Sequence, residues 1–66
     1  MVKKFKDLPI GYIFEAYGDE ISNYDYPKDC IFVKTEEGVA TEIDDNGKLG
    51  QHNLVEDSYE VWVNTG

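Results

Sequence analysis

The sequence contains no arginine, one cysteine and one histidine in 66 residues. A lone cysteine cannot close an internal disulfide, and one Cys with one His falls short of the four ligands of a structural zinc site. The missing arginines exclude more. Nucleic-acid binding needs cations that neutralise phosphates, and arginine makes the commonest contact to base edges. No apolar run approaches the ~20 residues of a membrane span, and no signal-peptide pattern opens the chain, so the expected setting is the cytoplasm, without a membrane partner. No stretch supports a helix of ten residues. A chain this short buries only about 60% of its unfolded surface, which leaves room for a single domain over residues 1–66.

What the sequence has instead is acid and rings. Fourteen Asp and Glu oppose six lysines, for a formal charge of −8, and one Trp, five Tyr and three Phe supply the aromatics. A hydrophobic fraction of 41% is too apolar for a disordered acidic tail. The charge is uneven. Residues 1–10 hold Lys3, Lys4 and Lys6 against Asp7, a net of +2, whereas residues 11–66 hold Lys28, Lys34 and Lys48 against 13 acids, a net of −10. Such a body repels DNA and RNA. It suits a cationic partner, or a protein surface that normally holds nucleic acid. The plainer explanation is that acidity keeps a small protein soluble.

Along the chain, Met1–Lys4 reads as a frayed start. Phe5-Lys6-Asp7-Leu8 makes one turn of 3-10 type, with Phe5 and Leu8 on one side. Pro9-Ile10-Gly11 is a tight turn. A first strand follows over 12–17, with Tyr12, Phe14 and Ala16 inward and Ile13, Glu15 and Tyr17 outward. Residues 18–29 form a long irregular connection, and loops of that length are often functional. Cys30–Thr35 is an apolar strand without alternation, as expected for a central position. A glycine turn at 36–38 leads to a strand over 39–43, with Val39, Thr41 and Ile43 inward and Ala40 and Glu42 outward. Asn46-Gly47 signals a hairpin. A short strand over 48–52 and a closing strand over 59–63 complete the set. The expected fold is all-β: a small curled antiparallel sheet or SH3-like barrel of about five short strands.

The opening Phe5-Lys6-Asp7-Leu8-Pro9-Ile10-Gly11-Tyr12-Ile13-Phe14 resembles the Phe-x-Asp-Leu-x-x-Gly-x-x-Phe start of many small bacteriophage-encoded β proteins. Those continue with a strand similar to Ile31-Phe32-Val33-Lys34-Thr35 and end in a Val-x-Val strand, like Val61-Trp62-Val63. The matching residues determine fold rather than chemistry, and the functions of such proteins are largely unassigned. The acidic segment at 18–29 departs from the shorter versions. The resemblance implies a phage-encoded protein, working in the host cytoplasm, of the kind that binds and disables a host protein.

Catalytic patterns are weak. Fourteen acids produce carboxylate pairs by chance, and general acid–base chemistry needs a sheltered cleft that so small a domain can hardly build. Glu42-Ile43-Asp44-Asp45-Asn46-Gly47 resembles the start of a calcium loop, but position 12 would be Asn53, which cannot give the bidentate carboxylate, and the hairpin reading prevails. Cys30 and His52 could pair as nucleophile and base, yet the neighbouring Asp29 favours the neutral thiol. Cys30 therefore reads as a small core residue. No enzyme activity, metal or cofactor is expected.

Alternate acids on a strand lie about 6.7 Å apart, while phosphates along one DNA strand are spaced about 3.4 Å. Two neighbouring acidic rows, or one row beside an acidic loop, approach the phosphate density. The outward strand acids are Glu15, Glu42, Asp44 and Glu60, and the loop acids are Asp19, Glu20, Asp25 and Asp29. Tyr17 and Trp62 are expected outward, with Tyr24 and Tyr26 in the acidic loop. Either these rings form a partner-binding patch, as Tyr and Trp often do, or Tyr17 and Trp62 form a second small core under the loop. The leading expectation is a non-enzymatic DNA-mimic-type inhibitor that occupies a basic, nucleic-acid-handling host protein. A homodimer would enlarge its acidic surface and bury an edge strand or Trp62. The alternative is a structural or adaptor β-module that docks on a larger assembly through an edge strand.

Overall fold

Three phenylalanines hold the centre of the domain. In the computed structural model, which describes residues 1–63, Phe5 and Phe32 are wholly buried and Phe14 nearly so. Phe14 meets Phe5 edge-on at 6.0 Å between centroids and stacks on Phe32 at 5.9 Å. Leu8, Ala40, Val55 and Val61 close around them. Each such side chain contributes about 1.5–3 kcal/mol by leaving water, which is large for a domain of this size.

The elements that deliver these residues are β1 (Val2–Lys4), a 3-10 turn (Phe5–Asp7), β2 (Ile13–Tyr17), the single helical turn α1 (Gly18–Ile21), β3 (Asp29–Glu36), β4 (Val39–Ile43), β5 (Leu49–Leu54) and β6 (Glu60–Trp62). They form two antiparallel sheets: one of four strands in the order β2-β3-β4-β5, and one pairing β1 with β6. The all-β class and the N-terminal 3-10 turn hold. No barrel closes among the described residues. No helix among them is long and apolar enough to cross a membrane.

Several expectations need correction. Residues 2–4 are not frayed: they pair with β6, Val2 opposite Trp62 and Lys4 opposite Glu60, giving six strands rather than five. The 18–29 connection begins with a helical turn. Gly18 permits it, because a Cβ there would collide with the Tyr24 ring and crowd the Cys30 sulfur. The fourth expected strand extends to Leu54, with Asn53 buried within it.

The β4 orientation is reversed. Ala40 stands opposite Lys34, and Glu42 opposite Phe32, on the core side. An irregularity between Lys34 and Glu36 sets this register, which strict alternation from the glycine turn does not anticipate. Thr41 is fully buried, but on the other face, in a hydrogen-bond chain with Thr35 (2.9 Å) and His52 Nδ1 (2.6 Å).

Lys34 is the unexpected core residue. Its side chain is fully buried beside the Phe5 ring, and its ammonium donates to the carbonyls of Leu8 (2.7 Å) and Phe5 (3.0 Å) while pairing with Glu37 (3.2 Å). A buried charge persists only when its donors are satisfied, and here the backbone of the N-terminal turn satisfies them. Gly11, at φ +91°, donates to the Lys34 carbonyl while Lys34 N donates to Tyr12. Two residues thus oppose one, the glycine bulge that starts β2.

Candidate functional site

β2 alternates as expected. Phe14 faces the core, whereas Ile13, Glu15 and Tyr17 are exposed, Tyr17 by 51%. On β6, Val61 is buried between exposed Glu60 and Trp62, the latter 75% accessible. Tyr17 and Trp62 therefore do not form a second core.

β2 and β6 border a groove of about 590 Å³ whose walls carry Glu15, Tyr17, Glu20, Asp29, Glu60 and Trp62. The walls hold four carboxylates and no lysine. Half of the twelve sequence-nominated residues thus converge on one depression. Glu20 is aimed by Tyr59, whose hydroxyl donates to its Oε2 at 2.7 Å. Burial, then that bond to a carboxylate, raises the Tyr59 phenol well above its ordinary value, so it stays a donor. Among the described residues the only ion pair is Lys34–Glu37, so no cation neutralises the groove by direct contact. Lys4, opposite Glu60 across the β1–β6 pair, is the nearest basic residue by register but lines no part of it.

The remaining nominees lie elsewhere. Asp29 also borders a second depression of about 550 Å³, beside the β4–β5 turn, shared with Glu42, Asp44, Asp45, Lys28 and Lys48. Two lysines offset charge there. Glu42 is not a free outward carboxylate: it is half-buried and accepts from the Tyr24 hydroxyl at 3.0 Å. That bond raises the Tyr24 phenol. Tyr24 is further engaged by Lys28 over its ring at 4.9 Å and by Tyr26 edge-on at 6.2 Å.

Asp44 is spent on the turn, its Oδ1 accepting from the backbone of Asn46 (2.9 Å) and Lys48 (2.8 Å), as the hairpin reading requires. Asp19 sits in the helical turn, and Asp25 and Tyr26 are exposed on the connection beyond it. Cys30 is half-buried, and its thiol is pushed up first by burial and then by Glu42; Asp29, its chain neighbour, matters least. Sequence reasoning missed Tyr59 as the residue that orients Glu20, because a tyrosine read as the core-facing start of the closing strand, and found just ahead of β6, gives no signal of a carboxylate partner 39 residues away.

No known family, curated protein or solved structure matches the chain.

Proposed function

We propose that this protein is a non-enzymatic acidic binding module that occupies a basic, nucleic-acid-binding surface of another protein. A phage-encoded inhibitor of a host protein is the setting this reading fits. The observation that carries it is the β2–β6 groove, where four carboxylates, no lysine and two exposed rings share one concave surface. Uncompensated carboxylates steer a cationic partner and oppose a polyanion, and fields of this kind act mainly on association rate and specificity. Trp62 and Tyr17 add contact area at little entropic cost, as aromatic anchors do in tight interfaces. The acids would stand where phosphates stand on the partner's usual ligand.

The test is competition. The protein is titrated into complexes of basic DNA-binding host proteins with their DNA, at low and at high salt. Displacement that weakens as salt rises supports the reading. Failure to displace any of them at low salt overturns it, and displacement insensitive to salt assigns the contact to apolar surface instead.

A further inference from the structure

An antiparallel sheet that covers one core normally turns apolar residues toward it and polar residues toward water. The four-stranded sheet departs from that rule. Its core side carries Phe14, Phe32 and Ala40, yet its other side is aliphatic as well. Ile13 stands beside Val33, Ile43 beside Leu49 and Val39 beside Leu54, all on the face turned away from the phenylalanines. Ile31, two residues before Val33, shares that face. Ile13, Ile31, Leu49 and Leu54 are 56%, 39%, 50% and 88% exposed. Val33 is buried but stands apart from the core cluster. Thr35, Thr41 and His52, the polar residues among them, bond to one another. The acids that reach this face, Glu15, Asp29 and Glu36, stand at its β2 margin or at the ends of β3. An unbroken run such as Ile31–Val33 suits a strand covered on both sides, and the fold covers one.

We infer that the same face of a second copy closes this one, giving a homodimer of two sheets packed face to face about 10 Å apart. Composition selects that occupant. Surfaces that meet transient foreign partners are about as apolar as the rest of a protein, whereas homodimer surfaces resemble a core cut in half. The centre of this face, around Ile31, Val33 and Ile43, carries no charged side chain, so two strongly acidic copies can meet there without setting acid on acid. Chain length points the same way. Below about 70–80 residues a core is usually supplemented by disulfides, a metal or assembly. One cysteine closes no internal disulfide, and one Cys with one His builds no structural zinc site, which leaves assembly. The area suffices. The four exposed aliphatic side chains present about 400 Å² of accessible surface, and with their neighbours each copy would bury about 500–600 Å², a total just above what a specific interface needs. The pairing rests on the aliphatic centre rather than on the groove's carboxylates, so it stands or falls separately from the acidic-binder reading.

The experiment is sedimentation equilibrium of the full chain from about 1 μM to about 1 mM, at low and at high salt. The expected species has twice the 7.6 kDa chain mass. Its dissociation constant stays level or falls as salt rises, because screening relieves the repulsion between two copies of charge −8 while apolar contact is retained. Ile31→Lys sets an ammonium at the centre of the face, on a side chain the folded monomer leaves in water. It raises the dissociation constant at least about hundredfold and keeps the circular dichroism of the parent. Should that variant fail to fold, Leu49→Lys on β5 supplies the same test with a loss of at least about tenfold. In a mixture of labelled and unlabelled copies, isotope-filtered spectra show contacts between the methyl groups of Ile31 and Ile43 and those of the other copy. A chain that stays monomeric at about 1 mM overturns the proposal, as does a dimer that dissociates when salt is added. A dimer that both lysine variants leave intact and Trp62→Ala abolishes is seated on the groove, and also overturns it.

Discussion

The two depressions are of similar size and share Asp29, yet they differ in how their charges are employed. Beside the β4–β5 turn, Glu42 is held by Tyr24, Asp44 caps the turn backbone, and Lys28 and Lys48 stand among the acids. Those carboxylates are occupied by the fold. Between β2 and β6, only Glu20 has a side-chain partner, and Glu15 and Glu60 flank exposed rings. The number of acids does not separate a structural cluster from a candidate interface; the number left without work inside the protein does.

The comparison can be broken most severely by removing what both grooves stand on. Phe32→Ala should cost about 3–5 kcal/mol and unfold a domain of this size, which thermal melting followed by circular dichroism would reveal. Lys34→Met, which leaves the Phe5 and Leu8 carbonyls without their donor, should cost about 3 kcal/mol by the same measurement.

Next come substitutions that separate the grooves. Glu15→Gln with Glu60→Gln should reduce affinity for a basic target by about tenfold and flatten its salt dependence, whereas Glu42→Gln should change it by less than about twofold. Equal losses from both would erase the distinction.

A smaller effect concerns Tyr59. Its phenol ionises near 10 in the unfolded chain and higher in the folded one, so the associated stability is complete below pH 10 and falls as pH rises toward the folded value. Tyr59→Phe should lose about 1 kcal/mol at neutral pH and show a shallower decline above pH 10 in denaturant titrations. The smallest expected change is at Cys30. Because Glu42 helps hold the thiol up, Glu42→Gln should speed its reaction with a disulfide reagent at pH 8 by a few-fold. A slower reaction would contradict the assignment.

The β class, the hairpin at Asn46-Gly47, the 3-10 turn and the alternation of β2 and β6 were all legible from residue type, since period-two patterns and turn residues act locally. The exposed positions of Tyr17 and Trp62 followed from the same alternation. What escaped depended on partners distant in sequence. β1 has three exposed residues and no apolar pattern, and it is a strand only because β6 lies beside it. The reversal of β4 stems from the register shift after Lys34, which no feature of Val39–Ile43 announces. Glu42 accordingly looked like a free surface acid and is a structural one.

Lys34 has a consequence for how the molecule meets chemical reagents. Lys3, Lys4, Lys6, Lys28 and Lys48 are exposed, whereas the sixth amine is enclosed by backbone carbonyls of the N-terminal turn. An acylating reagent added to the native protein should label five lysines and spare the sixth. Modification of that last amine would then report each opening of the core, so the rate at which its mass increment accumulates becomes a clock for unfolding.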